Sequence, residues 1–336
     1  MTICMFVVKH SVNKRLYGLA KNNEVKRMAL AFVYSGQGAQ YTGMGKELYE
    51  NFAVVREVFD EAANILGYDV ASLCFEENET LHLTEYTQPA ILTVSYAIDQ
   101  LLASVGIQPS IVAGLSLGEY TALVKANAFS FNEAISMVSK RGKYMSEAAP
   151  PGTGKMVAVM NADRKVIEAA CQEAAKTAYV APANYNMPTQ IVIGGEEAGV
   201  DKAVALLEEQ GVRRMIPLQV SGPFHTELLA PAAERLQKDL AALSFNEPML
   251  PVIGNTEAEV MEQHDIAALL ERQVKSAVKW EDCVRKMIDM GIDTFVEVGP
   301  GKTLSKFIKK IDKSVTVLNV EDLKSFEQVK SALIAE

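Results

Sequence analysis

The sequence predicts an α/β fold: a large domain on a mostly parallel sheet, with an inserted ferredoxin-like subdomain. Three observations predict it. Short apolar strands alternate with longer amphipathic helices along most of the chain. A complete strand–helix–strand–strand–helix–strand order interrupts that alternation midway. The length of 336 residues accommodates one large domain and a smaller one around a substantial core.

Taken in order, residues 1–27 hold six Lys/Arg and one Glu, a net of +5, leaving −14 for the rest of a chain whose net charge is −9. Their apolar run 3–8 is too short for a signal-peptide core, and the basic residues follow it. A mitochondrial-type leader shares this composition; we expect instead a disordered basic extension, with Met28 a natural beginning. The large domain then opens with strand 29–34, the turn Ser35-Gly36-Gln37-Gly38-Ala39, and helices 46–66 and 89–105. Strand 111–114 leads directly into another helix, and helix 131–145 closes this half, which we bound at 28–149. Pro150-Pro151-Gly152-Thr153-Gly154 is a strong loop signal. Strand 155–160, helix 163–176, strands 178–185 and 190–194, helix 199–211 and strand 213–220 form the subdomain, bounded at 150–218. From 219 to 336 the α/β texture resumes: helix 231–243, strand 250–254, helices 266–274 and 281–290, strand 294–298, helix 302–309, strand 315–320 and a last helix. The site is expected in the cleft between the two parts.

Composition narrows the function. The negative charge disfavours nucleic acid and anionic membranes as partners, and no apolar run approaches a membrane span. Cys4, Cys74, Cys171 and Cys283 are scattered, with no CxxC pair, which argues against a disulfide framework or structural zinc. We expect a cytoplasmic monomer.

Gly114-Leu115-Ser116-Leu117-Gly118 matches GxSxG between a strand and a helix, the context of the nucleophile elbow and of an α/β-hydrolase-like large domain. There the hydroxyl is lifted out of the sheet and the helix N-terminus points at a developing oxyanion. A glycine-flanked serine capping a helix is the plainer alternative. A serine nucleophile needs a base. Of the four histidines, His10 lies in the extension, His82 in a polar loop and His264 in a charged segment. His225 follows a strand in Ser221-Gly222-Pro223-Phe224-His225, a rigid turn at the strand end where catalytic groups gather in open α/β sheets, and is left by elimination. In helix 131–145, Ala134, Val138, Arg141 and Met145 share one face. Arg141 thus interrupts an apolar stripe and needs a carboxylate. That carboxylate belongs either to this protein or to a substrate gripped by the guanidinium fork, unless the side chain snorkels to solvent.

Five separated motifs now carry a resemblance: Ser35-Gly36-Gln37-Gly38-Ala39-Gln40, the GxSxG segment continued by Glu119-Tyr120, Arg141-Gly142, Gly222-Pro223-Phe224-His225, and Val298-Gly299-Pro300-Gly301. From about residue 28 onward the chain resembles the malonyl-CoA:acyl carrier protein transacylases of bacterial type II fatty-acid synthesis. These are similar in turn to polyketide-synthase acyltransferase domains. The resemblance implies Ser116 as nucleophile, His225 as general base, Arg141 on the malonyl carboxylate, and the Gln37 and Leu117 backbone N–H groups as oxyanion hole. It also implies that Gln273 orients the histidine through its carbonyl. Phe224, beside the base, should narrow the pocket toward malonyl over methylmalonyl. No metal or redox cofactor is implied; coenzyme A arrives as the substrate thioester, and the partner is acyl carrier protein. Many members carry His before the nucleophile where this chain has Leu115, which we read as a variation of the pocket wall.

Other readings remain at this stage: a trans-acting acyltransferase of polyketide synthesis, a serine esterase or thioesterase, or a non-catalytic carrier-binding scaffold. Arg141 argues against a hydrolase of neutral acyl chains, and the intact residue set against a scaffold. An acidic carrier and an acidic enzyme repel, so docking needs a local basic patch, for which Lys155, Lys275, Lys279, Lys302 and Lys306 are candidates.

Overall fold

The computed structural model describes residues 29–150, 152–220 and 222–334. The basic extension 1–27 and Met28 lie outside the described residues. So do Pro151 in the predicted loop and Ser221, the first residue of the predicted turn.

Nine strands among the described residues are β1 (Leu30–Tyr34), β2 (Ile111–Gly114), β3 (Lys155–Met160), β4 (Val180–Met187), β5 (Gln190–Gly195), β6 (Arg214–Pro217), β7 (Val252–Ile253), β8 (Thr294–Val298) and β9 (Thr316–Val320). Five of them form a parallel sheet in the order β7-β2-β1-β8-β9. β1, β2 and β8 are buried along their whole length, because helices cover both faces. Successive side chains of β1 therefore enter different cores. Phe32 and Tyr34 join the larger cluster, while Ala31 and Val33 pack with Trp280 and Phe295 on the other face.

The remaining four strands form an antiparallel sheet ordered β4-β5-β3-β6. With helices Arg164–Ala174 and Glu197–Glu209 in the connections, this is the strand order a ferredoxin-like unit requires. Its own core unites Val157, Val159, Ile167, Val180, Ile193, Val200 and Leu207. Two hydrogen bonds stitch it to the larger part: Tyr185 N–H to the Val278 carbonyl (2.8 Å), and Val278 N–H to the Ala183 carbonyl (2.9 Å).

Several elements differ from expectation. The single helix 46–66 is two helices, Lys46–Asn51 and Ala53–Leu66, with Phe52 extended between them (φ −126°, ψ 125°). Its ring packs edge-on against Phe326 of the C-terminal helix, a long-range contact no local pattern announces. A short helix, Val70–Phe75, capped by Asp69, was not foreseen. The helix expected at 89–105 runs from Thr84 to Ser104. Pro89, a residue that favours helix starts, instead sits one turn and a half inside. The true first turn is anchored by the Leu83 carbonyl, which accepts from the Tyr86 and Thr87 N–H groups and from the Thr87 hydroxyl. Helix Phe131–Ala148 is three residues longer than expected and opens on a Ser130/Glu133 capping box. No helix among the described residues is long and apolar enough to cross a membrane.

Candidate active site

Ser116 sits in the turn between β2 and helix Gly118–Lys125 at φ 53°, in the left-handed region that L residues avoid. The flanking glycines make the turn possible. A Cβ on Gly114 would run into the Gly118 backbone, and one on Gly118 into the Tyr34 carbonyl of β1. The turn is held from outside as well: Ser116 N–H donates to Asn255 Oδ1 (2.7 Å), and Gln273 Nε2 donates to the Ser116 carbonyl (2.9 Å). Among the described residues, the Gln37 and Leu117 N–H groups have no protein acceptor.

His225 is brought to the serine by its own left-handed backbone, φ 60°. Its Nε2 lies 2.8 Å from Ser116 Oγ and its Nδ1 2.8 Å from the Gln273 carbonyl oxygen. A carbonyl only accepts, so Nδ1 carries the proton and the Nε2 lone pair faces the serine hydroxyl. Burial, reinforced by the Arg141 charge, lowers the imidazole pKa to about 4, so the ring is neutral at neutral pH. Helix Ile266–Lys275 buries Gln273 so that its carbonyl steadies the histidine while its side chain holds the serine turn.

Arg141 is 1% exposed, and no Asp or Glu among the described residues pairs with it. Nη1 donates to Gln88 Oε1 (2.7 Å), and Nη2 donates to Ser116 Oγ and Gln273 Oε1 (both 3.0 Å). Nε has no partner among the described residues, and the guanidinium carbon lies 5.5 Å from the Tyr120 ring centroid. Burial lowers the Arg141 pKa, opposed by Tyr120 and Glu119. The Glu119 carboxylate is engaged elsewhere, accepting the Asn255 N–H (2.6 Å), and burial raises its pKa to about 8. Of the two carboxylate sources left open by the sequence, no protein group among the described residues fills the role. Helices Thr84–Ser104 and Phe131–Ala148 bring Gln88 to Arg141 by near backbone contact, since a Cβ on Gly142 would lie 2.8 Å from both the Glu85 Cα and the Thr84 carbonyl.

Ser116, His225 and Gln88 face a cavity of about 600 Å³ between the two sheets. Ser116, His225, Gln37, Gln88, Met145, Phe224 and Leu115 line it from the large part, and Met156, Ala158, Asn184, Asn186 and Val192 from the antiparallel sheet. Phe224 is buried beside the base. His82 is exposed, as expected, but at the cavity mouth.

Sequence reasoning missed Gln88, which fell one residue outside the helix expected from 89, and Asn186 on β4. It also missed Asn255, whose partner Ser116 is 139 positions away. Glu119 stood in a quoted motif without a role. Of the five lysines offered as docking candidates, three are ion-paired: Lys155 with Asp201, Lys275 with Glu271 and Lys302 with Glu321. Beyond Lys302, helix Thr303–Ile311 and the turn after it present Lys306, Lys309, Lys310 and Lys313, all exposed. Phe307 of the same helix lines the cavity.

A parallel sheet whose strand-to-helix elbow presents a serine to a neutral histidine, with a buried arginine alongside, defines an α/β acyl-group enzyme. Comparison with known proteins makes the class specific. Residues 31–332 match the acyl transferase domain family. The chain is 44% identical over 301 residues to the malonyl CoA-acyl carrier protein transacylase of Bacillus subtilis, covering 89% of this chain and 95% of that protein. It superposes on the crystal structure of MCAT from Streptococcus pneumoniae with a TM-score of 0.89 at 52% identity, covering 90% of this chain and all of the other. It also superposes on PlMCAT, a malonyl-transacylase in complex with a type II polyketide acyl-carrier protein, with a TM-score of 0.86 at 38% identity. That match covers 89% of this chain and 98% of the other. The chain belongs to the acyl transferase domain family, among its malonyl-CoA–acyl carrier protein transacylases.

Proposed function

We propose that the chain transfers the malonyl group from malonyl-CoA to the phosphopantetheine thiol of acyl carrier protein through a malonyl ester on Ser116. One observation carries this reading: a fully buried guanidinium whose partners among the described residues are all neutral, 3.0 Å from a serine hydroxyl that faces a neutral histidine. Such a charge calls for an anion at the reacting centre. A malonyl carboxylate on Arg141 would place the thioester carbonyl beside Ser116 Oγ.

His225 Nε2 takes the hydroxyl proton as Oγ attacks, and Nδ1–H donating to the Gln273 carbonyl steadies the imidazolium that forms. Asn255 occupies the Ser116 N–H, so the Gln37 and Leu117 N–H groups are the donors left for the tetrahedral oxyanion. The protonated histidine then returns its proton to the departing coenzyme A thiolate. The carrier thiol repeats the sequence in reverse. Phe224, packed beside the base, narrows the acyl end; one methyl branch is worth only about 1–3 kcal/mol of discrimination.

Likeness to a protein that serves a polyketide carrier keeps fatty-acid and polyketide carriers as alternative acceptors. Intact-mass spectrometry tests the function. Malonyl-CoA alone should add one malonyl group to the wild type and none to Ser116→Ala, and holo carrier protein should remove it. An unlabelled wild type, or label on a cysteine, refutes the reading.

A further inference from the structure

The left-handed turn at Ser116 needs an external hold, because a non-glycine residue at such φ is strained by about 1–3 kcal/mol. Asn255 supplies contacts on both sides of it. Its Nδ2 donates to the Gly114 carbonyl (2.7 Å), the residue entering the turn, and its Oδ1 accepts the N–H of Ser116 itself (2.7 Å). This is the one amide orientation that satisfies both neighbours. Its backbone is tied as well: its N–H donates to Glu119 Oε2 (2.6 Å), and its carbonyl accepts the Lys279 N–H (2.8 Å). Every polar atom of a fully buried residue is thereby committed. β7, two residues earlier, pairs with β2 at Val112 and Ala113, so the clasp and the strand that delivers the serine belong to one rigid ladder.

We propose that Asn255 is a positioning residue: by bridging the Gly114 carbonyl and the Ser116 N–H it locks the serine in its reactive turn and reserves the Leu117 and Gln37 N–H groups for the oxyanion. The inference rests on Ser116 being the nucleophile. Asn255 touches no substrate, and its loss acts on the rate of acylation rather than on binding, because the Arg141 bonds to Gln88 and Gln273 and the cavity lining outside the Ser116 turn do not depend on it.

The test measures malonyl-CoA binding and the single-turnover rate of Ser116 malonylation in Asn255→Ala and Asn255→Asp. Folding is followed by circular dichroism at each pH. Asn255→Ala should retain malonyl-CoA affinity within about twofold and lose on the order of 100-fold in rate, the usual effect of misplacing a reacting group by about 1 Å. Asn255→Asp gives a signature that a merely structural residue would not. A neutral carboxylic acid keeps one acceptor and one donor and reproduces both bonds, whereas a carboxylate turns an oxygen toward the Gly114 carbonyl. The titratable groups facing this position are Glu119 and Cys283, with Lys279 just before helix Trp280–Asp289 and His225 and Arg141 beyond Ser116. The Asp variant should therefore approach the wild-type rate near about pH 5 and fall on the order of 100-fold below it by about pH 8. Folded Asn255→Asp that tracks the wild type across this range overturns the inference, as do losses confined to KM. If Ser116→Ala is unlabelled as expected while Asn255→Ala acylates normally, only the inference falls. If Ser116→Ala still takes malonyl, the assignment of the nucleophile falls first.

Discussion

The parallel-sheet part and the antiparallel part build the same cavity from opposite materials. Buried Asp99, Glu119, Arg141, His225 and Glu297 all belong to the larger part. Between residues 155 and 217 no Asp, Glu, Lys, Arg or His is buried, and the core there is aliphatic apart from Cys171 and Tyr185. The contrast follows from sheet geometry. Parallel strands all end at one edge, where strand-to-helix turns point free N–H groups at a common space. Antiparallel strands alternate direction and gather no such edge. One part therefore concentrates charge at the cost of burying it, and the other supplies a wall.

That division can be tested by breaking each side separately. His225→Ala should cut the rate of Ser116 malonylation by about 10²–10⁴-fold with little change in thermal stability, read by quenched-flow mass spectrometry. Arg141→Ala should cost about 2–5 kcal/mol of malonyl recognition, while acetyl transfer improves relative to malonyl transfer. Equal losses for both acyl groups would make Arg141 a structural residue. On the opposite wall, Ile193→Ala should cost about 2–5 kcal/mol of stability and leave the acylation rate of the folded enzyme unchanged. A large rate loss there would dissolve the distinction.

The pH dependence sharpens it further. Because burial lowers the His225 pKa to about 4, acylation should stay level as pH falls below the ordinary imidazole value of 6.5, and decline only near 4. The same depression has a stability consequence. The unfolded chain takes up the proton first, so this contribution is complete above pH 6.5 and is lost as pH falls through 4. Charge reversal of Lys306 and Lys310 should have the smallest effect, slowing transfer to carrier protein several-fold at low salt while sparing the malonyl-CoA half-reaction. Unaltered carrier kinetics would place docking elsewhere.

Much of the site was legible because its signals are local or chemically exclusive. GxSxG between strand and helix pointed to Ser116, a shortage of histidines left His225, and a charge on an apolar stripe drew attention to Arg141. The order of six elements in mid-chain was enough to forecast the antiparallel sheet. What stayed hidden depends on pairing at a distance. Asn255 carries no mark until β7 lies beside β2, Gln88 none until two helices touch, and the break at Phe52 none until Phe326 is in place. For the candidate docking lysines, the acidic partners that neutralise three of them were not visible in the sequence.

Gly142 sets the terms on which this enzyme could change its substrate. The joint between its helix and the one carrying Gln88 has no slack, since even one added carbon would press on the Glu85 and Thr84 backbone. Side chains that project from the joint, Arg141 and Met145 on one helix and Gln88 on the other, can be exchanged without moving it. A library aimed at new acyl groups should therefore randomise 88, 141 and 145 together and keep 142 invariant. Lineages that drift toward other acyl donors should do so by swapping the fitting and keeping the mount.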